Sequence, residues 1–228
     1  MWHNIFMPRT NRVAVGDTIY HALNRANGRQ TIFSNDAEYQ HFVDLLCDAS
    51  DMIAMRILAY CIMPNHWHLV LYPRQDGDMG EYLRLVTTTH VRHRRVQTKT
   101  VGHGHLYQGT YKSFPVETDT YLVQLIRYVE QNPLRAKLVN RAEEWHWSSL
   151  WMREQGTQRK AFLAELPTDL PPDYLSWVNT LDKKETLEHI RHSVNKGKPL
   201  GSGEWTDRMI EEYGLQSTMR GVGRPRRG

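Results

Sequence analysis

The chain has 228 residues and a net charge of +4, with 40% hydrophobic and 24% charged residues, which is the composition of an ordinary globular protein. No apolar run approaches the roughly 20 residues of a membrane-spanning helix, and the amino terminus has no signal-peptide pattern, so we expect a cytoplasmic protein. Cys47 and Cys61 are the two cysteines, which excludes a small secreted protein built on disulfides.

The first third of the chain predicts a strand, a helix and a hairpin after an amino-terminal arm of about a dozen residues. Alternating apolar residues predict a strand over 17–25. Residues 34–36 offer an N-cap for the helix that follows. Apolar residues over 53–63 and 66–72, separated by a Pro-Asn turn, then predict a β-hairpin.

The next segments predict a helix over 80–96, a strand over 106–116 and a further helix. Thr118 or Asp119 caps that last helix, and Pro133 ends it because proline has no N–H to donate. Strands and helices in this order predict an α+β fold in which an antiparallel or mixed sheet has helices on one face.

The composition changes after about residue 150. Three prolines among polar residues predict a linker over 154–176, and two short helices follow, ended by Gly197 and Gly214. We therefore divide the chain into a main domain, residues 1–150, and a C-terminal extension, residues 151–228, with two helices that could pack back on the core and a basic tail.

The positive charge is concentrated in two stretches without any acidic residue. The first, residues 82–116, contains six bases: Arg84, Arg92, Arg94, Arg95, Lys99 and Lys112. The second, residues 213–228, contains four: Arg220, Arg224, Arg226 and Arg227. The remaining chain carries a net −6. This distribution is typical of a polyanion-binding protein, although a solvated face with an unbound tail has the same pattern.

His66 and His68 lie two residues apart in the second hairpin strand. Since side chains alternate along a strand, both imidazoles project from the same face and could hold one metal ion. Two ordinary surface or hydrogen-bonded histidines are the alternative, because the chain has 12 histidines.

Tyr128 and Asn132 lie four residues apart and share one face of the last helix of the main domain. A tyrosine beside an apolar stripe usually contributes only packing. Opposite a pair of metal-binding histidines, however, Tyr128 would be a nucleophile beside a cation with three protein ligands, an arrangement suited to phosphoryl transfer.

Several motifs together resemble the REP-associated tyrosine transposases, bacterial relatives of the single-tyrosine HUH transposases of small insertion sequences. The central ones are MPNHWHLVL at 63–71, GHLYQGTYKSF at 104–114 and YVEQNPLRAKLV at 128–139. YHALNRANGRQ at 20–30, WHWSS at 145–149 and the carboxy-terminal GRPRR extend the resemblance over nearly the whole chain.

The resemblance implies a ferredoxin-like core with His66 and His68 on a central strand. It also implies that Tyr128 is the nucleophile and that Asn132 is the third metal ligand. Insertion-sequence relatives commonly use glutamine as that ligand, and Gln131 is the neighbouring candidate. Gln131 ranks second because it points about 100° away around the helix.

The implied cofactor is Mg²⁺ or Mn²⁺, whereas imidazole ligands by themselves favour Zn²⁺ or Mn²⁺ over Mg²⁺. The implied substrate is single-stranded DNA that carries an imperfect hairpin of a repetitive palindromic element. The candidates for DNA binding are the six bases of residues 82–116 together with Arg224, Arg226 and Arg227 of the tail. Trp67 and Tyr107 are candidates for stacking on bases, with core packing as the alternative.

We therefore predict a metal-dependent single-strand DNA endonuclease and strand transferase that forms a 5′-phosphotyrosyl intermediate. The resemblance favours a monomer and leaves a dimer open. The main alternative is a non-catalytic binder of structured DNA or RNA. A zinc metallohydrolase on another fold is disfavoured, because no acidic residue lies beside the histidine pair to act as a base, the nearest downstream being Asp76.

Overall fold

The structure is a computed structural model that describes residues 13–100, 102, 104–155, 162–181 and 184–219. The predicted amino-terminal arm and the Arg-rich tail lie outside these residues. Within the part of the chain that the structure describes, no helix is long and apolar enough to cross a membrane.

A four-stranded antiparallel sheet forms the centre of the molecule, with strand order β2-β3-β1-β4. Its strands are β1 (Ile19–Arg25), β2 (Arg56–Met63), β3 (His66–Tyr72) and β4 (Lys112–Val116). Helix α1 (Asp36–Ile53) connects β1 to β2, and helix α2 (Asp78–Gln97) connects β3 to β4. The β-α-β-β-α-β order is that of a ferredoxin-like fold, so the predicted α+β class and hairpin are confirmed.

Helices α1 and α2 cover one face of the sheet. Helix α1 begins after Asn35, whose side chain accepts a hydrogen bond from the backbone N–H of Glu38, as an N-cap does. Its apolar stripe joins one hydrophobic cluster with residues of α2 and with Trp67, Leu69 and Leu71 of β3. The alternation of β3 thus directs every second residue toward these helices.

The opposite face is covered as well, by helix α3 (Thr120–Glu130). Leu122, Leu125 and Ile126 of α3 join a second cluster that includes Val70 of β3 and Phe114 of β4. The prediction that helices lie on one face only was therefore wrong. The strands have apolar residues on both sides, and a sheet of that kind needs a layer on each face.

After α3, the residues that the structure describes form five further α-helices. They are α4 (Asn132–Arg135), α5 (Ser149–Glu154), α6 (Tyr174–Asn179), α7 (Lys184–Lys196) and α8 (Gly203–Glu212). Helices α7 and α8 lie where the sequence predicts two helices, whereas the first half of α6, residues 174–176, falls within the predicted linker. Tyr174, Val178 and Ile190 of this region are buried in the same cluster as α3. The division of the chain at residue 150 stays a prediction.

The predicted strand over 106–116 is shorter in the structure. Tyr107 makes an isolated bridge to Ala26, and regular pairing with β1 begins only at Lys112. Around the bridge, the backbone N–H of Gln108 donates to the carbonyl of Arg25 and that of Asn27 donates to the carbonyl of Leu106. The side chain of Asn24 donates to the carbonyl of Gly109, between the bridge and the regular ladder.

Helix α3 is tied to its surroundings through a buried carboxylate. Glu130 is fully buried and accepts hydrogen bonds from Ser149 Oγ (2.5 Å) and Tyr174 Oη (2.6 Å). Arg153 forms an ion pair with the same carboxylate. Three donors compensate the carboxylate for its loss of contact with water. Because the donors lie on α5 and α6, this network connects α3 to both helices.

Neighbouring residues attach α3 to α6 in a second way. The amide of Gln131, which directly follows α3, donates to the backbone carbonyls of Val178 (2.9 Å) and Thr180 (2.8 Å). The guanidinium of Arg127 donates to the carbonyl of Trp177 (3.0 Å) and lies over its indole ring. The carboxy-terminal end of α3 is therefore held by backbone groups of the extension.

Replacing Glu130 by alanine is expected to lower the free energy of unfolding by about 3–5 kcal/mol, because Arg153 and two hydroxyl donors lose their partner. Urea denaturation measures the change. Glu154→Ala, at an exposed carboxylate of α5, is the matched control and should change stability by less than about 0.5 kcal/mol. Equal midpoints for the two variants would contradict a structural role for the Glu130 network.

Candidate active site

Strand β3 places His66 and His68 on the face of the sheet that α3 covers. Their ring centroids are 5.0 Å apart and their planes are nearly perpendicular, at 77°. His66 lies opposite Arg25 at the end of β1, and His68 lies opposite Leu23 in the buried interior of the sheet. The structure thus brings the two predicted ligands together at one place.

Both imidazoles are in an environment that favours their neutral form. Burial, with a smaller contribution from the positive charge of Arg25, lowers the pKa of His66 to about 4. Burial also holds the pKa of His68 well below its usual value, and the neighbouring His66 adds to the effect. A neutral imidazole has a free lone pair on one nitrogen, which is the form that binds a metal ion.

Tyr128 lies against this pair from α3. Its ring centroid is 6.1 Å from that of His68, with the planes at 86°, and the side chain is only 7% exposed. The helix presents Tyr128 here because Leu125 and Val129 on the same helix pack into the second cluster. Tyr128 and both histidines come from one chain, so the arrangement needs no second copy.

Asn132 lies four residues after Tyr128, at the start of α4. Its side-chain nitrogen donates to the carbonyls of Tyr128 (3.2 Å) and Val129 (3.1 Å), and its oxygen accepts from Arg135 (2.9 Å). An amide oxygen has two lone pairs, so one remains for a cation. By contrast, the side chain of Gln131 is buried and its nitrogen is bonded to carbonyls of the extension, away from this role.

The donor set fits a divalent cation in its chemistry. Two neutral imidazoles and one amide oxygen contribute no negative charge, so a bound cation would keep its charge available for a phosphate. Among the described residues, no group of three or more His, Cys, Asp or Glu could hold a metal ion. A metal site on this face therefore needs a ligand such as Asn132.

Arg135 is a site residue that the sequence reasoning missed. Its guanidinium lies 4.3 Å from the centre of the Tyr128 ring and donates to the Tyr128 carbonyl at 2.7 Å. Burial lowers the pKa of Arg135 to about 10, which still leaves it charged at neutral pH. The sequence did contain a signal for Arg135, because this residue lies seven positions, or about two helical turns, after Tyr128.

Two residues of β1 were missed as well. His21 is fully buried, and its Nε2 lies 2.9 Å from Nδ1 of His68. Arg25 lies beside His66, and its buried Nε has no hydrogen-bond partner in the part of the chain that the structure describes. Their signal was the period of two along the first strand, which puts both on the face of the histidine pair.

A cavity of about 1130 Å³ lies between α2 and the segment 104–111. Of the predicted DNA-binding residues, Arg84, Arg92 and Arg95 line it. Lys99 and Lys112 are exposed but do not line it.

The remaining residues predicted to contact DNA are Arg94, the three tail arginines and two aromatic residues. Arg94 forms an ion pair with Glu38 of α1. The three arginines of the tail, Arg224, Arg226 and Arg227, lie outside the described residues. Trp67 and Tyr107 are buried, and the indole N–H donates to the tyrosine hydroxyl at 3.1 Å. Both aromatic residues therefore belong to the core, which is the alternative that the sequence analysis gave for them, and they are not exposed for stacking on bases.

Comparisons with known proteins identify a family and a similar fold. A family model described as an IS200-like transposase matches residues 14–132. A REP-associated tyrosine transposase, solved with a bound REP hairpin, is similar in structure with a TM-score of 0.55 and 16% identity, over 72% of this chain and 95% of that one. At that identity the likeness shows the fold alone.

A candidate transposase from Deinococcus radiodurans R1 is also similar, with a TM-score of 0.37 and 17% identity, over 54% of this chain and 96% of that one. No curated protein matches the chain in sequence.

Proposed function

Because the chain belongs to the IS200-like transposase family, we propose that it is a metal-dependent endonuclease and strand transferase for single-stranded DNA. Its proposed substrate is a hairpin of a repetitive palindromic element, which the REP hairpin bound to the structurally similar transposase supports. The observation that carries the proposal is the ring of Tyr128 packed against His68 and under the guanidinium of Arg135.

In the proposed reaction the hydroxyl oxygen of Tyr128 attacks the scissile phosphorus. A bond from this oxygen to phosphorus forms as the bond from phosphorus to the 3′ oxygen breaks. The hydroxyl loses one proton to water, and the leaving 3′ oxygen gains one, so the step is balanced. The products are a 5′-phosphotyrosyl link and a free 3′-hydroxyl, and the reverse reaction rejoins strands without ATP.

His66, His68 and Asn132 are the proposed ligands of Mg²⁺ or Mn²⁺. When bound, the cation supplies positive charge to a non-bridging phosphate oxygen and orients the phosphate for attack. Arg135 contributes from the protein itself, because its guanidinium beside the Tyr128 ring stabilises negative charge that develops on the attacking oxygen.

The groove between α2 and the segment 104–111 is the proposed path for the DNA backbone. Arg84, Arg92 and Arg95 line it, and these side chains are suited to phosphate oxygens. Lys99, Lys112 and the tail arginines Arg224, Arg226 and Arg227 are proposed to add contacts outside it. Arg94 is left out because Glu38 already neutralises its charge within the fold.

Within this proposal, residues 1–150 form the catalytic domain and residues 151–228 an extension that supports α3. Tyr128 and the histidines of a single chain already meet, which supports a monomer as the active unit. A dimer that presents the same site in each copy is compatible with this geometry.

The direct test is to incubate the protein with an end-labelled single-stranded DNA hairpin and Mn²⁺ or Mg²⁺, and to separate the products on a denaturing gel. A labelled protein–DNA adduct together with a shortened strand is the expected result. Tight binding with no adduct in either metal would contradict the proposal and would favour a non-catalytic binder of structured nucleic acid.

Replacing Arg84 and Arg92 together by alanine is expected to weaken binding of the hairpin. Each lost phosphate contact should also reduce the slope of log affinity against log salt by about 1. Fluorescence anisotropy at several KCl concentrations measures both quantities.

Arg208→Ala removes the same kind of charge from an exposed position on α8 and is the control. It should leave the salt slope of the wild type unchanged. An unchanged slope in the double variant would contradict phosphate binding in the groove.

A further inference from the structure

His21 lies directly behind His68 in the sheet interior. Its Nε2 is 2.9 Å from Nδ1 of His68, and the two rings are stacked with centroids 5.1 Å apart. Phe114 covers His21 on another side, at 5.0 Å between ring centroids. The remaining nitrogen of His21, Nδ1, is buried and has no hydrogen-bond partner among the described residues. Within the described ranges, the one hydrogen-bond contact of this imidazole is thus with His68.

The neighbouring ligand, His66, has a similar contact whose direction the structure defines. The side-chain nitrogen of Asn65 donates to the carbonyl of Arg29 at 3.2 Å, so the oxygen of Asn65 faces Nδ1 of His66 at 2.6 Å. Because that oxygen can only accept, His66 carries its proton on Nδ1. The lone pair of Nε2 is then free, as a metal ligand requires.

We propose that His21 does for His68 what Asn65 does for His66: it accepts a hydrogen bond from Nδ1 of His68 and so leaves Nε2 of His68 free to bind the metal. This inference rests on the proposed metal site. It makes His21 a positioning residue, because it acts through His68 and is not itself a ligand.

The positions of the protons on the two rings depend on each other. Two neutral imidazoles 2.9 Å apart share one N–H between the facing nitrogens. If His21 donated, His68 would accept on Nδ1 and carry its own proton on Nε2, and it could not bind a metal through either nitrogen. If His68 donates, Nε2 is free, and His21 carries its proton on the buried Nδ1.

The second arrangement leaves the N–H of His21 without a partner, which is unfavourable in a buried site. Metal binding at His68 therefore has to select this arrangement over the other. A residue that can accept at the position of His21 Nε2 makes that selection possible, whereas an apolar residue there leaves the N–H of His68 unpaired.

The test compares Mn²⁺ affinity, measured by electron paramagnetic resonance, in the wild type and in two variants. His21→Leu removes the acceptor and should weaken Mn²⁺ binding by about 10–100-fold, as for other partners of metal-binding histidines. His21→Gln places an amide oxygen near the position of Nε2 and should restore binding to near the wild-type level. Thermal unfolding of both variants checks that each is folded.

A second measurement needs no variant. A two-bond nitrogen–proton NMR spectrum of the wild type with saturating Mg²⁺ should show His68 protonated on Nδ1 and not on Nε2. A proton on Nε2 of His68 would overturn the proposal.

Mn²⁺ binding distinguishes a failure of the proposed role of His21 from a failure of the proposed metal site. Equal Mn²⁺ affinity in His21→Leu and the wild type would overturn the role of His21 and leave the metal site standing. A wild-type protein that binds no Mn²⁺ would overturn the metal site itself, and with it the role of His21.

Discussion

Replacing Tyr128 by phenylalanine is expected to abolish the covalent protein–DNA adduct and to lower the rate of strand cleavage by roughly 10⁴-fold or more. The change removes one oxygen atom and keeps the ring, so packing against His68 and the contact with Arg135 are retained. What is lost is the oxygen atom that we propose attacks phosphorus. The denaturing gel described above detects both the adduct and the shortened strand.

Binding should be unaffected, which separates the nucleophile from a structural role. Tyr128→Phe should bind the DNA hairpin with wild-type affinity in anisotropy measurements. Tyr121→Phe, at a half-buried tyrosine in the first turn of the same helix, is the matched control and should cleave normally. Cleavage by Tyr128→Phe at the wild-type rate would show that another group is the nucleophile.

Replacing His66 by alanine is expected to reduce cleavage by roughly 10²–10⁴-fold at fixed Mn²⁺, because a cation positioned at the phosphate contributes several kcal/mol to the transition state. His66 is the better choice than His68, since His68 is almost completely buried and its loss would leave a cavity. Rates measured over a range of Mn²⁺ concentrations should show that the variant needs more metal than the wild type.

Chelation gives the complementary result. Excess EDTA should stop cleavage by the wild type, and added Mn²⁺ should restore it. His192→Ala, at an exposed histidine of α7, controls for nonspecific loss of an imidazole and should behave as the wild type. Full activity in EDTA, or an unchanged metal requirement in His66→Ala, would argue against metal binding at this residue.

Local pattern was enough to predict the elements that position the site. The hairpin follows from two apolar runs around a Pro-Asn turn, and strand alternation alone puts His66 and His68 on one face. Helical spacing likewise predicts that Tyr128 and Asn132 share a face. These signals act over a few residues, so no knowledge of distant contacts was needed.

Contacts between distant parts of the chain account for what was missed. Helix α6 lies among prolines and polar residues, and its packing under α3 through Tyr174 and Val178 is a tertiary interaction that no periodicity predicts. The packing of α3 on the second face of the sheet was missed for the same reason. Helix α3 ends at Glu130, and Arg135 contributes to the site because a separate short helix, α4, begins at Asn132 directly after it, which the sequence analysis did not predict.

The partners of the histidines were hidden for a different reason. His21 is far from His68 in sequence, and only the pairing register of β1 with β3 brings them together. In the sequence, His21 is merely an apolar-side residue of a predicted strand. The pairing register and the direction of each hydrogen bond give it a role.

The attachment of α3 to α6 bears on how a strand-transfer cycle proceeds. Arg127, Glu130 and Gln131 are all hydrogen-bonded to the extension, so the carboxy-terminal end of the helix that carries Tyr128 is tied to α6. Under the proposed reaction, we expect a tyrosine held in this way to keep its place between cleavage and rejoining. The old and new DNA ends would then exchange places over Tyr128, so we expect the movement in strand transfer to come from the nucleic acid.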